Sequence, residues 1–210
     1  TFTTTVAGVY SVIITDTTTN CVSPSASGTV TVNPNPTVTV NSPAVCAGAS
    51  ATVTATPGAA GTYSYAWTVP TGATAPGDVA TFNTTVAGVY SVIITNTVTG
   101  CVSTSASGTV TINPNPTVTV NSPTVCDGAS ATVTATPGVA GTYSYAWTVP
   151  AAATLPGDVA TFTTTIAGVY SVIITDTVTG CVSTSASGTV SLSTNPTATV
   201  NSQAVCQGAP

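Results

Sequence analysis

The chain of 210 residues contains no lysine, arginine, histidine or methionine, and its five acidic residues give a net charge of −5. Nucleic-acid binding requires cationic side chains that displace counterions from phosphates. Anchoring to an anionic membrane surface requires the same groups. A Ser–His–Asp triad cannot be assembled without histidine. The composition therefore predicts a protein that binds no nucleic acid, catalyses no reaction and needs no cofactor.

Long hydrophobic runs and clusters of metal ligands are missing as well. Hydrophobic residues make up 42% of the chain, but they are dispersed among 49 threonines and 21 serines. Runs such as residues 12–14 fall far short of the roughly 20 residues of a membrane helix, so we expect no membrane insertion here. Calcium binds six to eight oxygens, whereas each repeat offers little more than one recurring carboxylate. We therefore expect no metal site, and we expect Asp78 and Asp158 to cap loops.

What the chain does contain is a long internal repeat. Segments 37–116 and 117–196 align without a gap and are identical at 67 of 80 positions. A fixed long period indicates tandem modules. The chain starts and ends at different phases of the repeat, so we expect it to be part of a longer protein. The predicted organisation is a partial module with strands E–G (1–36), two complete modules (37–116 and 117–196) and a partial module with strand A (197–210).

Short segments rich in valine, isoleucine, threonine and tyrosine alternate with turn residues along each repeat. This pattern favours strands that bury one face. The predicted strands A, B, C, E, F and G of the first complete module are 37–41, 50–56, 62–69, 79–85, 88–96 and 102–112. Such an order is typical of an immunoglobulin-like β-sandwich. Because proline restricts the backbone, the joint at 113–116 (Asn-Pro-Asn-Pro) predicts a semi-rigid spacer and hence an extended rod of modules.

Four motifs carry a resemblance to a known family. They are VCAG before strand B, YAW on strand C, AGVYSVIITNTVTGC across strands F and G, and TVTINPNP at the end of the module. In order and spacing they resemble the PKD-like, immunoglobulin-like tandem repeats of secreted surface proteins and adhesins of Bacteroidota-type bacteria. The resemblance implies a non-catalytic β-sandwich at the bacterial cell surface. An acidic-glycine turn that often follows the strand C aromatic in PKD domains is missing here.

Aromatic residues recur at fixed positions of the repeat. We expect Trp67 and Trp147, on strand C, to fill the core between two sheets, and Tyr90 and Tyr170 to form a tyrosine corner at the start of strand F. The alternative is a sugar-stacking platform, because tyrosines two and four residues before each tryptophan share its face of the strand. Asn83 begins the sequence Asn-Thr-Thr, which has the form of an N-glycosylation site.

Six cysteines in a chain without histidine predict disulfides and an oxidising, extracellular compartment. Bonds within a module would join Cys46 to Cys101 and Cys126 to Cys181. However, strand B would separate such cysteines by about 20–25 Å, and a disulfide requires Cα atoms within about 7 Å. Neighbouring modules could instead be joined by Cys46–Cys181. A hairpin at the joint would give three other pairs: Cys21–Cys46, Cys101–Cys126 and Cys181–Cys206. These pairings stay open, together with free thiols and bonds between chains.

The near-identical repeats and the missing catalytic residue types favour a structural function. We expect a segment of an extracellular repetitive fibre, filament or adhesin stalk, whose partners are copies of itself. The alternative is an adhesion module that binds glycans or a partner surface through the loop at 70–78 and exposed tyrosines such as Tyr63.

Overall fold

Strands account for all regular secondary structure in the computed structural model, which describes residues 1–208. The first nine are β1 (Gly8–Val12), β2 (Ala26–Val30), β3 (Val38–Val40), β4 (Ala44–Cys46), β5 (Ala51–Pro57), β6 (Tyr63–Thr68), β7 (Thr81–Thr84), β8 (Gly88–Asn96) and β9 (Ala106–Asn113). The other seven are β10 (Val118–Val120), β11 (Thr124–Cys126), β12 (Ala131–Pro137), β13 (Tyr143–Thr148), β14 (Thr161–Thr164), β15 (Gly168–Asp176) and β16 (Ala186–Ser193). Within this part of the chain, no helix is long and apolar enough to cross a membrane.

The backbone contacts divide the chain into two compact units. The first unit consists of Thr1–Ala44 and Ser50–Thr111, and the second consists of Val45–Ala49 and Ile112–Pro210. The short segment Val45–Ala49 therefore belongs with the second unit, although the repeat assigns it to the module 37–116. The module boundaries read from the repeat remain predictions.

In the second unit, two sheets form a sandwich. One sheet has the order β10–β12–β14, and the other has the order β11–β16–β15–β13. All pairs are antiparallel except β11 with β16, which run parallel. In the first unit, β3, β5 and β7 form the corresponding three-stranded sheet, and β6 pairs with β8 and β8 with β9. The predicted all-β, immunoglobulin-like fold is confirmed.

The core lies between the two sheets and follows the alternation of each strand. On β12, Ala131, Val133 and Ala135 are buried while Thr132 is exposed. From the facing sheet, the core receives Trp147, Tyr170, Val172, Ile174 and Val190. Full burial of a valine or isoleucine side chain contributes about 1.5–3 kcal/mol. Each module therefore obtains its stability from a few β-branched and aromatic side chains.

Strand A differs from its prediction because it divides between the two sheets. Instead of one strand at 37–41 and a turn before strand B, the chain forms β3 in one sheet and β4 in the other. Asn41 causes the division: its side-chain amide donates to the carbonyl of Thr52 at 2.9 Å and accepts the N–H of Thr54 at 2.7 Å. Ser42 then accepts the N–H of Thr109 on β9 at 3.0 Å. These bonds hold the chain while it crosses from sheet to sheet.

The two terminal pieces form fewer strands than predicted. Strand E is absent from residues 1–36, where only β1 and β2 form, and residues 197–208 contain no strand A. The last two residues of that prediction, 209–210, lie outside the described part of the chain. In the complete module, both strand E (β7) and strand A (β3) pair with strand B (β5). Neither terminal piece contains a copy of strand B, so these edge strands have nothing to pair with.

Candidate functional site

The most specific chemical feature is a disulfide between Cys46 and Cys181, whose Cα atoms lie 5.5 Å apart. Both residues belong to the second unit. Cys46 ends β4, and Cys181 lies in the turn after β15. Of the alternatives left open by the sequence, this is the bond between neighbouring repeats. The intramodule and hairpin pairings of these two cysteines are wrong, because each cysteine forms one disulfide.

A hydrogen-bonded turn positions Cys181. The Asp176 carboxylate accepts the N–H groups of Thr179 at 3.0 Å and Val178 at 2.8 Å. The N–H of Asp176 donates to the carbonyl of Cys181 at 2.8 Å, which closes the turn. The bonds from Thr179 and Val178 hold the pKa of Asp176 below its ordinary value. Cys181 itself is fully buried.

A second turn positions Cys46 and links it to the proline-rich joint. The N–H of Ala49 donates to the carbonyl of Cys46 at 3.0 Å, and Gly48 has a φ of 88°, in the left-handed region that favours glycine. The N–H of Ala47 donates to the carbonyl of Asn113 at 2.8 Å. The side-chain amide of Asn115 donates to the carbonyl of Ala47 at 3.2 Å. The disulfide, its turn and the joint at 113–116 thus form one bonded structure within the second unit.

The other four predicted disulfide cysteines lie outside any disulfide of the described residues. Cys101 is partly buried, whereas three are exposed: Cys21, Cys126 and Cys206. The thiol of Cys101 contacts the carbonyl of Asn33, with an Sγ–O distance of 3.6 Å. The hairpin pair Cys101–Cys126 is therefore not formed.

The strand C tryptophans lie against the core. Trp147 is buried and Trp67 is partly buried, and their indole N–H groups donate to the carbonyls of Val159 and Val79, each at 2.8 Å. Phe162 contacts Trp147 edge to face, with ring centroids 4.9 Å apart. Both indole rings pack with the core residues of their sandwich.

Tyr90 and Tyr170 close the connection from strand E to strand F. Both are fully buried. The Tyr170 hydroxyl donates to the carbonyl of Ile166 at 2.8 Å and lies 2.9 Å from the Thr164 hydroxyl. The Tyr90 hydroxyl makes the same bonds to Val86 and Thr84. This geometry ties the connection to the sandwich core.

The tyrosines proposed for glycan binding are not the exposed rings that this alternative requires. Tyr63 and Tyr65 are half-buried and pack against the core formed by β5 and β8. The Asp78 carboxylate accepts the N–H of Tyr65 at 2.6 Å, and Asp158 does the same for Tyr145. Each aspartate therefore fixes the end of the 70–78 loop, or its repeat, against strand C.

Asn83 is exposed on the edge strand β7. Its side-chain oxygen accepts the Thr52 hydroxyl at 2.8 Å. It lies at a shallow, hydroxyl-rich depression that the first unit forms from Ser50, Gly72, Thr74, Asn83, Thr84, Thr85 and Val86. The equivalent depression of the second unit has a threonine, Thr163, at that position.

Among residues 1–208, no group of three or more cysteine, aspartate or glutamate side chains could hold a metal ion.

The sequence does not predict the role of three residues that organise the divided strand A: Asn121, Ser122 and Gly188. Asn121 repeats the bonds of Asn41, and Ser122 accepts the N–H of Thr189 at 3.1 Å. Gly188 lies so close to this crossing that an added Cβ would be 2.0 Å from the Asn121 carbonyl oxygen. The signal that marks them is a recurring Asn-Ser-Pro at 41–43 and 121–123, matched by a recurring Gly-Thr at 108–109 and 188–189.

No protein-family model and no curated protein matches the chain. Several solved structures are similar to it at low identity. A titin I-band fragment, I67–I69, has 13% identity and a TM-score of 0.46, over 78% of this chain and 67% of the fragment. Immunoglobulin domains 1–4 of Sidekick-1 have 14% identity and a TM-score of 0.41, over 91% of this chain and 60% of that one. The four N-terminal Ig domains of Dscam1 isoform 1.9 have 15% identity and a TM-score of 0.33, over 88% and 54%. Similarity at this level does not transfer the functions of those proteins to this chain.

Proposed function

We propose that the chain is a structural segment of an extracellular repetitive fibre or stalk. The observation that carries this proposal is the Cys46–Cys181 disulfide, which joins one copy of the repeat to the next. Because Cys46 lies in the segment 37–116 and Cys181 in the segment 117–196, this bond links successive repeats covalently. Repeats that are nearly identical suit a function of length and surface, because every module then makes the same contribution.

The chemistry of the chain supports the same function. Its side chains offer hydroxyls, amides and five carboxylates, and it has no histidine, lysine or arginine for acid–base catalysis or for binding phosphates. A disulfide is stable in an oxidising compartment such as the cell exterior. Together with the family resemblance, this supports a bacterial surface protein of the PKD-like type. Labelling of intact cells with an antibody to the chain tests the location, and labelling only after lysis contradicts it.

Negative-stain electron microscopy of the material isolated from its source tests the structural function. We expect continuous fibres or straight rods whose length increases with the number of repeats. Flexible, compact particles would contradict the proposal. The double variant Cys46→Ser/Cys181→Ser is the matched comparison, and we expect its particles to bend more at the joint. Fibres far longer than a few modules indicate a filament, whereas discrete rods indicate a stalk.

Glycan or partner binding is the second candidate, favoured by the hydroxyl-rich depression that both units form at equivalent positions. Thr74 and Thr154 line it in the first and second unit, respectively. We expect a multi-module chain to bind a glycan array if this function holds, and Thr74→Val/Thr154→Val to weaken that binding. Tyr63→Ala tests the aromatic platform separately. Absence of binding by the unmodified chain would contradict this candidate.

A further inference from the structure

We propose that Cys101 and Cys126 are two halves of a repeating covalent junction, and that each forms a disulfide with another repeat of the same sequence. Cys126 would bond the cysteine of the F–G turn in a following repeat, and Cys101 would bond the cysteine before strand B in a preceding repeat. This inference rests on the proposed fibre or stalk function, which it deepens by naming the bond between successive repeats.

The first argument is the equivalence of positions. Cys126 is the copy of Cys46 in the next repeat, and Cys101 is the copy of Cys181 in the preceding one. Of these four cysteines, the first and the last, Cys46 and Cys181, form the observed disulfide, and they are 135 residues apart. The same separation applied to Cys126 gives an F–G cysteine in the next repeat. Cys101 and Cys126 are therefore unpaired copies of the two cysteines that form the observed disulfide.

Burial supports this equivalence. Cys181 is fully buried in the disulfide, whereas its copy Cys101 is only partly buried. Likewise Cys46 is partly buried, whereas its copy Cys126 is exposed. Both unpaired cysteines are accessible to a partner, and pairing in the observed disulfide goes with greater burial.

The surroundings of Cys126 reproduce the turn that holds Cys46. The N–H of Asp127 donates to the carbonyl of Ser193 at 2.9 Å, as the N–H of Ala47 does to Asn113. The side-chain amide of Asn195 donates to the carbonyl of Asp127 at 3.0 Å, as Asn115 does to Ala47. The turn is therefore formed around Cys126 without a disulfide, and its thiol needs only a partner.

An independent contact supports the site at Cys101. Its thiol lies 3.6 Å from the carbonyl oxygen of Asn33. The equivalent carbonyl in the paired junction belongs to Asn113, and it accepts the N–H of Ala47, the residue that directly follows Cys46. The thiol of Cys101 is thus already next to the backbone group to which a partner turn would bind. A repeat that docks on Asn33 in this way would bring its own cysteine to Cys101.

The bond requires an oxidant, and a low-molecular-weight disulfide such as oxidised glutathione is sufficient. A thiolate of one repeat attacks the small disulfide and releases one reduced thiol. The thiolate of the second repeat then attacks the mixed disulfide and releases the other. Two protein thiols lose two electrons and two protons, one protein disulfide forms, and one small disulfide becomes two thiols.

Disulfide mapping of the native material tests the inference. The material is alkylated while denatured and unreduced, and it is then cleaved after proline with a proline-specific protease, because the chain contains no site for trypsin and prolines, unlike aromatic residues, separate Cys101 from Cys126. The cysteine peptides are distinguishable: Asp127 follows Cys126, Ala47 follows Cys46, and Asn96 or Asp176 precedes the F–G cysteines. We expect the Cys126 peptide to be linked to an F–G peptide. Alkylated Cys101 and Cys126, or bonds between like cysteines, would overturn the inference.

The source of the partner is tested with the purified 210-residue chain. After reduction and treatment with oxidised glutathione, covalent multimers show that a second copy supplies the partner. If the product stays a monomer that contains the Cys46–Cys181 bond, a second copy does not supply the partner. A Cys126 cross-link found in the native material is then a bond to a later repeat of the same chain. Cys126→Ser is the matched control: it should remove the Cys126 cross-link and leave Cys46–Cys181 in the map.

Fibres whose Cys101 and Cys126 are free would disprove only the junction, whereas cross-linked chains that form neither rods nor fibres would disprove only the proposed function.

Discussion

Hydroxyl groups supply at single residues the polar contacts that charged groups supply in most proteins. Ser183 is almost fully buried and accepts the N–H of Ile174 at 2.9 Å, and Tyr170 makes two bonds from inside the core. A buried polar group without a partner costs about 1–3 kcal/mol, so these contacts are required wherever the backbone leaves a sheet. A chain with only 2% charged residues can be stable because its threonine, serine and tyrosine hydroxyls are placed in this way.

Tyr170→Phe tests the tyrosine corner. The substitution keeps the ring but leaves the carbonyl of Ile166 without its hydroxyl donor. We expect the free energy of unfolding of the second unit to fall by about 1–2 kcal/mol, measured by denaturant titration. Tyr10→Phe is the matched control, because Tyr10 makes the same bond to Val6 in an exposed setting. Equal losses for the two variants would contradict the importance of burial.

Asp176 predicts a local pH dependence. Because its pKa is lowered from 3.8 in the folded state, the carboxylate stabilises its turn above pH 3.8, and this contribution is lost as the pH falls through the lower folded value. We expect the amide NMR signals of Thr179 and Val178 to shift in that range. Asp176→Asn should abolish the shift while it keeps the turn.

The chain contains its own control for this experiment. Asn96 occupies the same place in the preceding repeat and accepts the N–H groups of Val98 at 2.9 Å and Thr99 at 3.1 Å. An amide does not titrate, so the signals of Val98 and Thr99 should not move in the acid range. Movement of all four signals together would indicate general unfolding rather than titration of Asp176.

At the scale of the elements, the divided strand A determines how the sandwich closes. The chain leaves one sheet after β10, crosses at Asn121 and Ser122, and joins the other sheet as β11, parallel to β16. The crossing passes directly over Gly188, where there is no space for a side chain. The glycine is thus required by close approach of the backbone and not by a turn.

Gly188→Ala tests this close approach. The new Cβ would overlap the carbonyl oxygen of Asn121 and push the crossing away from β16. Overpacking of this kind costs about 1–3 kcal/mol, and we expect a loss at the upper end of that range in thermal or denaturant unfolding. Gly28→Ala is the matched control, because Gly28 has the same repeat position and nothing within 4 Å of an added Cβ. A neutral Gly188→Ala would show that the crossing is mobile.

The sequence predicts the strands of this fold better than their partners. Alternation of valine and threonine marks strand B, because the core requires one apolar face: residues 50–56 are predicted and β5 spans Ala51–Pro57. The division of strand A depends on bonds from Asn41 to β5 and from Ser42 to β9. The recurring Asn-Ser-Pro marks the place of the crossing, but it does not identify these partners. The same holds for strand E of residues 1–36, whose formation depends on a partner strand.

The disulfide site, like the strands, can be predicted from the sequence only in part. Cysteine spacing limits the disulfide to a few pairings, and the length of strand B argues against the intramodule one. The choice between a bond across neighbours and a hairpin depends on how β4 and the F–G turn meet, which requires the folded backbone. The position of Cys46 at the end of β4, in the second unit, decided it.

At the scale of the whole molecule, the disulfide closes a loop of 135 residues, which includes most of both complete modules. A cross-link of this span removes conformational entropy from the unfolded chain, and the chain-entropy relation gives about 5 kcal/mol for it. We therefore expect Cys46→Ser/Cys181→Ser to lower the stability of the second unit markedly, with a reduced midpoint in denaturant. Cys126→Ser removes an exposed thiol outside the disulfide and should leave the midpoint of the monomer unchanged.

The sharpest form of this prediction compares reduction with substitution. Dithiothreitol should shift the unfolding midpoint of the native chain to that of the double variant, and it should have no effect on the double variant itself. Because β8 lies in the first unit and contains neither cysteine of the bond, amide hydrogen exchange should increase near Cys46 and Cys181 and stay unchanged at Tyr90 and Val92. Equal loss of protection in both units would contradict this, since it would mean that the bond stabilises the molecule as one cooperative body.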